Sequence, residues 1–309
     1  MVRKLNTTSN LKFSGQGTHD ATDAAFTEPT FFGTKESGLT AGESPIGLGA
    51  FTNVALTNSR STASGYKTDT DLGVVTLGID KAFEDNFILG FAVSGSTSSA
   101  TSRFEVGPDK FKSINGSTAL SAAPYAALII DEHFYIDATM GASGIENRLN
   151  HTAVPSGAVI QSGDGDAVSR FLGAAVNYIG VMGDFGLLAS VGYTWSSTSL
   201  DEFRDDQGNL VSPDDERASQ LIVSAEIGRP IGMFVPYVVA AYERDLIPSP
   251  RGGGLPGETA ETAPNALRLG FGIDSNFTDN LVVSLEANTV LLKPGYDEVG
   301  LTFNLRYDF

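Results

Sequence analysis

The sequence predicts an all-β protein, a 12-stranded antiparallel up-and-down transmembrane β-barrel. Three observations lead to this fold class. From about residue 46 onward, apolar residues recur with a period of two, which is the periodicity of a strand. The two faces defined by this alternation differ sharply in side-chain size and polarity. Short and long connections also alternate along the chain, as they do when all tight turns lie at one end of a barrel.

The alternation defines twelve segments, an even number, and each is long enough to cross a bilayer as a tilted strand of about 9–11 residues. They lie at about 46–58, 66–83, 86–97, 120–131, 134–148, 167–182, 186–200, 217–230, 234–246, 265–277, 280–291 and 297–309. Tight turns are expected at sequences such as FEDN, DEH, GDF, PIGM and TDN. Long polar connections are expected at about 98–119, 149–166, 201–216 and 247–264.

The chemistry of the two faces distinguishes a membrane barrel from a soluble β-sandwich, which also alternates. Near the end of the chain, one face carries Leu267, Leu269, Phe271 and Ile273, and the other carries Arg268, Gly270, Gly272 and Asp274. A face exposed to water on a soluble protein would be rich in Lys and Glu, whereas the second face is mostly Gly, Ser and Ala. The apolar face is therefore expected to meet lipid and the small-residue face to line a lumen. Aromatic residues near segment ends fit the interfacial girdles of such barrels: Phe83, Trp195, Tyr242, Tyr307 and Phe309.

The composition excludes several classes of function. The formal net charge of −17 argues against nucleic acid as a partner, because phosphate binding needs a basic surface. The absence of cysteine excludes disulfide scaffolds, thiol catalysis and cysteine zinc sites. The first ten residues, MVRKLNTTSN, have basic residues without a following apolar stretch, so no signal peptide is predicted there.

Charged residues on the small-residue face are predicted to form a polar network inside the lumen, since isolated charges there would be costly. The network comprises Asp80, Glu226, Glu243, Arg268, Asp274, Glu286 and Arg306. It could be purely structural, or it could set the selectivity of a channel.

The final segment, VGLTFNLRYDF, alternates strictly and ends on an aromatic residue. This ending resembles the C-terminal signal of bacterial outer-membrane proteins, which the barrel-assembly machinery recognises. The residues that would carry the signal here are Phe303, Leu305, Tyr307 and Phe309. By pairing with the first strand, this segment would also close the barrel.

The resemblance extends to the translocator β-domain of autotransporters, the type V secretion proteins. VVTLGIDKAFEDNFILGFAVSGSTSS and PYAALIIDEHFYIDATMGASGIENR resemble hairpins of that domain, and the likeness covers about residues 46–309. It implies an integral protein of the Gram-negative outer membrane, with outer-membrane lipids and the barrel-assembly machinery as partners. It also implies that the segment before the first strand runs through the lumen.

Residues 1–45 are accordingly predicted to form a separate N-terminal segment, preceding a barrel domain at 46–309. Only Asp20 to Ala25 has helical character, because Pro29 and several glycines interrupt the rest of the segment. The segment does not resemble a large passenger domain. It is either a lumen-threading linker or the remnant of a passenger, or else a periplasmic or disordered tail.

Neither catalysis nor a cofactor is predicted. The three histidines, His19, His133 and His151, lie outside the strands or in turns and loops, away from any candidate nucleophile. Acidic loops could bind Ca²⁺, but the EF-hand spacing is missing and no metal site is predicted; their acids are Asp164, Asp166, Asp205, Asp206, Asp214 and Asp215.

The predicted function is that of an outer-membrane translocator of the autotransporter type, which provides a polar conduit and a membrane anchor for its N-terminal segment. Two alternatives stay open at this point. The barrel could be a small passive diffusion porin, or a surface protein that adheres to a partner through its extracellular loops.

Overall fold

Twelve antiparallel strands close into one barrel, each hydrogen-bonded to its neighbours in an up-and-down order. This arrangement confirms the predicted fold class. The computed structural model describes residues 47–63, 66–83, 86–106, 109–154, 159–204, 208, 210–211, 215–247, 264–278 and 280–309. Within this part of the chain, no helix is long and apolar enough to cross a bilayer.

The first seven barrel strands are β1 (Leu48–Ala63), β2 (Tyr66–Phe83), β3 (Phe87–Val106), β4 (Asp109–Ile129), β5 (Phe134–Val154), β6 (Val159–Met182) and β7 (Phe185–Leu200). Two short strands, β8 (Phe203–Arg204) and β9 (Leu210–Val211), form a small sheet in the connection after β7. The barrel then continues with β10 (Glu216–Gly228), β11 (Phe234–Ile247), β12 (Asn265–Thr278), β13 (Leu281–Leu291) and β14 (Tyr296–Asp308).

The two ends of the barrel differ in their connections. At one end, which we call the turn end, β1 begins and β14 finishes, and the connections are short; they lie at 84–86, 130–133, 183–184, 229–233 and 279–280. Gly183 and Gly232 adopt φ of 63° and 65° there, a conformation that suits glycine. In another of these turns, the backbone N–H groups of His133 and Phe134 donate hydrogen bonds to the Asp131 carboxylate. These hydrogen bonds lower the pKa of the Asp131 carboxyl group.

At the opposite end, which we call the loop end, two of the predicted long loops are strands instead. The prediction of loops at 98–119 and 149–166 was wrong: β3 and β4 are joined at 107–108, and β5 and β6 at 155–158. Outer-face positions in these extensions carry residues such as Thr101, Arg103 and Asp166. Because this surface lies beyond the apolar belt, it gives no apolar alternation from which a strand could be recognised.

The seam between β1 and β14 closes the barrel. The two strands pair continuously from Gly49 with Asp308 to Ser61 with Tyr296. On the inner face of this seam, the side-chain amide of Asn53 donates a hydrogen bond to the amide oxygen of Asn304. Closure leaves no strand edge unpaired, which is a requirement for any sheet that crosses hydrocarbon.

The outer face carries an apolar belt. In β3 its exposed members are Phe87, Leu89, Phe91 and Val93, and in β14 they include Val299, Leu301, Phe303 and Tyr307. Aromatic side chains are concentrated at the turn end, where they form a ring around the outer surface: Phe83, Phe87, Phe134, Phe185, Phe234, Phe277, Tyr307 and Phe309. An apolar belt edged by aromatic residues is the outer surface of a membrane-spanning barrel.

The inner face is packed in part by aromatic side chains that lie over glycines of the neighbouring strand. A Cβ atom on Gly90 would lie 2.1 Å from the ring of Tyr125, its direct partner across β3 and β4. Three further pairs share this geometry: Gly78 with Phe51, Gly141 with Phe171, and Gly272 with Tyr237. The glycines therefore leave room for aromatic rings to lie over the neighbouring strand.

The cost of placing a charge on the outer face should depend on its depth in the bilayer. We expect Leu301→Arg, in the belt of β14, to destabilise the folded barrel by about 2–4 kcal/mol, because the guanidinium would face hydrocarbon. Thr101→Arg is the control: it lies on the outer face of β3 beyond the belt, opposite Asp69, and should cost about 0–1 kcal/mol. Denaturant unfolding in phospholipid vesicles measures both free energies, and equal costs would contradict the assignment of the belt to lipid.

Candidate functional site: the inner wall of the barrel

The inner wall is chemically asymmetric. Its hydroxyl half, on β2 to β7, is lined mainly by small side chains and hydroxyl groups that hydrogen-bond from strand to strand. Ser98 and Ser117 lie 2.7 Å apart, and Ser121 and Ser143 lie 2.8 Å apart. Further pairs of the same kind are Thr76 with Ser94 and Thr198 with Ser169. This half offers a polar surface with little charge.

Most of the buried charge lies on the other half, which we call the charged wall and which is formed by β10 to β14 together with β1 and the turn end of β2. The structure places all seven residues of the predicted polar network on the inner face, each at most 3% exposed: Asp80, Glu226, Glu243, Arg268, Asp274, Glu286 and Arg306. It brings together Asp80 with Arg306 and Glu243 with Arg268, and it links Glu286 to Arg268 through a single intervening side chain.

The first of two clusters lies at the turn end, across the closing seam, and we call it the seam clasp. The guanidinium of Arg306 donates to both carboxylate oxygens of Asp80, with Nη1–Oδ2 and Nη2–Oδ1 distances of 2.9 and 2.8 Å. Its Nε donates to Asp308 at 2.9 Å, and the Tyr125 hydroxyl donates to Asp80 Oδ2 at 2.8 Å. The clasp thereby joins β14 to β2 over the inner face of β1, and to β4 beyond.

The clasp depends on a glycine in the strand that it crosses. Gly49 of β1 pairs with Asp308 on one side and with Asp80 on the other, so it lies directly beneath the bridging guanidinium. A Cβ atom at this position would lie 2.1 Å from Nη2 of Arg306 and 2.8 Å from Oδ1 of Asp80. Any side chain other than hydrogen would displace the ion pair.

The second cluster, the loop-end cluster, is centred on Arg268 of β12. Its Nε donates to Glu243 of β11 at 2.8 Å, and its Nη1 donates to Asn288 of β13 at 3.0 Å and to Glu298 of β14 at 2.5 Å. The Tyr296 hydroxyl donates to the other oxygen of Glu298 at 2.5 Å. Tyr296 also packs with Ala266 and Val290, so apolar side chains cover one side of the cluster.

Both clusters hold charges that would be expensive to leave unpaired. Arg306 is 0% exposed and Arg268 is 1% exposed. Removing one member of a buried ion pair typically costs about 3–5 kcal/mol, whereas the intact pair contributes little net stability over an apolar replacement. Such pairs are better explained by the strands that they hold in register than by the stability that they add.

The remaining network residues lie between and beside the clusters. Glu286 accepts a hydrogen bond from the Tyr237 hydroxyl at 3.0 Å and one from the Asn288 amide at 3.4 Å. Glu226 and Asp274 lie near the Tyr237 hydroxyl as well, nearer the turn end. These three carboxylates form an acidic region of the charged wall, on the turn-end side of the loop-end cluster.

Several residues of the two clusters and of the acidic region are not among the predicted network residues. Tyr125, Tyr237 and Tyr296 point inward, although the pattern suggests only outer girdles for aromatic residues. The sequence signal for such an inward aromatic residue was a glycine at the position paired with it on the neighbouring strand, as Gly90 is paired with Tyr125. Glu298 could have been recognised from its parity with Arg306, while Asn288 is uncharged and gave no signal.

The histidines and acidic residues considered for catalysis or metal binding are dispersed. His133 lies in the turn at 130–133, stacked on Tyr178 with ring centroids 5.9 Å apart. Asp164, Asp166 and Asp215 are exposed at the loop end. His151 lies in β5, so the prediction that it lies in a loop was wrong. The remaining candidates, His19, Asp205, Asp206 and Asp214, lie outside the described residues. Among the residues that are described, no group of three or more His, Cys, Asp or Glu could hold a metal ion.

Comparison with known proteins gives a consistent family assignment. A sequence profile of the family described as autotransporter beta-domain matches residues 47–288, which is most of the chain. No curated protein sequence matches it.

Solved structures of the same barrel type are similar in fold. The translocator domain of the autotransporter NalP from Neisseria meningitidis is 13% identical, with a TM-score of 0.67 over 85% of this chain and 88% of that chain. The transport unit of the autotransporter AIDA-I from Escherichia coli is 14% identical, with a TM-score of 0.67 over 84% and 90%. The β-domain of the Bordetella autotransporter BrkA is 14% identical, with a TM-score of 0.64 over 84% and 99%.

The seam clasp can be tested through the glycine beneath it. We expect Gly49→Ala to lower the free energy of unfolding by roughly 1–3 kcal/mol, because the new methyl group would overlap the Arg306 guanidinium. Gly95→Ala in β3 is the matched control: nothing lies within 4 Å of the added atom, and the change should be neutral or slightly stabilising. Urea unfolding followed by tryptophan fluorescence measures both variants, and an equal response at the two positions would contradict the clasp.

Proposed function

Because this chain belongs to the autotransporter β-domain family, we propose that its N-terminal segment, residues 1–45, runs through the lumen of the barrel domain, residues 46–309. The protein is an outer-membrane translocator barrel of Gram-negative bacteria. Family membership favours this function over the diffusion porin and the surface adhesin. Translocator domains are secretion barrels, and we propose that this one performs no chemical step.

The observation that carries the proposal is the contrast between the two faces of the same strands. An apolar belt surrounds the barrel, and the inner wall is polar, with small hydroxyl groups on one half and paired charges on the other. A polypeptide within such a lumen can hydrogen-bond to the hydroxyl half. It can place charged side chains against the charged wall without meeting bare hydrocarbon.

The residues of the charged wall would act as structure and as contacts for the segment. We propose that Asp80 and Arg306 maintain closure at the turn end, while Glu243 and Arg268 hold β11, β12 and β14 together at the loop end. Glu226, Asp274 and Glu286 would offer carboxylates to donors of the N-terminal segment. The conduit is passive on this account, since the sequence contains no Gly-rich phosphate loop with a lysine, and folding outside the membrane would drive export.

The outer face of β14 is proposed to serve assembly. Phe303, Leu305, Tyr307 and Phe309 lie in one outward row, and the Tyr307 and Phe309 rings contact each other with centroids 4.9 Å apart. An apolar strand face of this kind is suited to recognition by the barrel-assembly machinery before the strand pairs with β1. Outer-membrane lipids would contact the same row after insertion.

Channel conductance distinguishes an occupied lumen from an open pore. In planar bilayers, we expect the full chain to give small and infrequent openings, because the segment would fill the lumen. Deletion of residues 1–45 should increase the single-channel conductance severalfold. A large conductance that is the same with and without the segment would contradict the proposal and support a porin.

The assembly role predicts a change in yield without a change in stability. In cells, Phe309→Ala should reduce the amount of barrel assembled in the outer membrane, because the recognised face loses its last ring. After refolding in vitro, its free energy of unfolding should stay close to that of the unmodified protein. Phe277→Ala provides the control, since Phe277 is also an exposed aromatic residue at the turn end but lies in β12. Equal losses of assembled protein in the two variants would argue against a special role for β14.

A further inference from the structure

Two arginines on the outer face form an unusual row near the loop end. Arg170 of β6 and Arg217 of β10 are each paired across the sheet with Ser197 of β7, so the three residues lie side by side on neighbouring strands. Both arginines are exposed. Their Cα atoms are roughly 10 Å apart, since two inter-strand spacings of about 4.8 Å separate them.

The row lies at the upper edge of the apolar belt. Two residues closer to the turn end on β7, Trp195 pairs with Leu172 on one side and with Ser219 on the other. Tyr193 and Val191 follow on the same face of β7, still closer to the turn end. One step toward the loop end, Ser199 pairs with Val168. Tryptophan and tyrosine mark the depth at which acyl chains give way to headgroups. The two guanidinium groups therefore lie at the level of lipid headgroups in the leaflet on the loop-end side.

Elsewhere on the outer face, a similar pair of arginines is bridged by a carboxylate. On β1 to β3, Asp69 of the middle strand bridges Arg60 and Arg103, with Nε–Oδ1 and Nη1–Oδ2 distances of 2.6 and 3.1 Å. The corresponding middle position between Arg170 and Arg217 is a serine, which carries no charge. Within the described part of the chain, neither of these arginines forms an ion pair.

We propose that Arg170 and Arg217, with Ser197 between them, bind the phosphate group of an outer-leaflet lipid. Two guanidinium groups can each offer parallel N–H donors to phosphate oxygens, and the serine hydroxyl can donate a further hydrogen bond. Trp195 and Leu172 would lie against the upper acyl chain of the same lipid. The protein carries a formal net charge of −17, whereas the three residues paired across this row are two arginines and a serine.

The inference rests on the proposed orientation of the barrel in the outer membrane, with the loop end outside. It goes beyond that function because translocation requires no particular lipid. A bound phosphate would also connect β6, β7 and β10 from the outside, beneath the extended β5–β6 hairpin.

Trp195, the only tryptophan of the chain, is a built-in reporter for the site. The protein would be reconstituted into phosphatidylcholine vesicles that contain lipids with brominated acyl chains, which quench tryptophan at contact. One series uses brominated phosphatidic acid, which presents a phosphate monoester, and the other uses brominated phosphatidylcholine. Comparison of the two quenching curves gives the preference of the site for an accessible phosphate.

We expect phosphatidic acid to be preferred by roughly fivefold or more in the unmodified protein, since each basic residue at an anionic surface contributes a factor of about five. In Arg170→Gln/Arg217→Gln the preference should fall to about one. Arg60→Gln/Arg103→Gln is the matched control, because it also removes two outer-face arginines, and it should leave the preference unchanged. Equal quenching by both lipids in the unmodified protein, or an undiminished preference in Arg170→Gln/Arg217→Gln, would overturn the proposal.

A second variant keeps both arginines. Ser197→Asp reproduces the arrangement of Asp69 between Arg60 and Arg103, and it should abolish the preference because the new carboxylate satisfies both guanidinium groups. A preference that survives Ser197→Asp would contradict the proposal. Inorganic phosphate that competes away the preference would indicate a free-anion site and overturn lipid binding. Failure of either brominated lipid to quench Trp195 would instead show that the barrel does not lie in the bilayer, which contradicts the proposed location itself.

Discussion

Backbone hydrogen bonding is the constraint on which the whole structure depends. A strand within hydrocarbon has no water to satisfy its N–H and C=O groups, and each unpaired group costs several kcal/mol. The pairing of β1 with β14 removes the last free edges and makes a membrane-spanning sheet possible. Given a closed ring, the alternation of side chains assigns each residue of the membrane-spanning part to lipid or to lumen, and the two faces then acquire opposite chemistry.

The charged wall is a consequence of the same constraint. Charges on the inner face are tolerated because they are paired. The seam clasp lies where the first and last strands of the barrel meet, and the loop-end cluster joins the consecutive strands β11 to β14. The seam clasp joins residues 226 positions apart, and it does so only because β1 carries a glycine beneath the guanidinium. The residues that hold the seam together thus also line the lumen with polar groups.

The sequence predicts the barrel well because period-two alternation and face chemistry are local and strong signals. The predicted parity of Arg268, Asp80 and the residues of β14 agrees with the positions that these residues occupy. The signal fails where the outer face leaves the membrane: beyond the belt, the strands at 98–106 and 159–166 carry polar residues on both faces and resemble loops. Specific contacts between strands also cannot be predicted from the sequence. Nothing in the residues around Arg306 shows that it pairs with Asp80, or that the strand between them must carry a glycine at position 49.

The alternation of lipid and lumen along β14 is the most direct test of this account. The chain lacks cysteine, so single cysteines introduced from Val299 to Asn304 can carry a nitroxide label at one known position each. In a barrel reconstituted into vesicles, collision rates with oxygen, which concentrates in lipid, should peak at Val299, Leu301 and Phe303 and fall at the positions between them. If the labels at those three positions are instead shielded from oxygen, as in a dry protein core, the apolar face does not meet lipid and the account is contradicted.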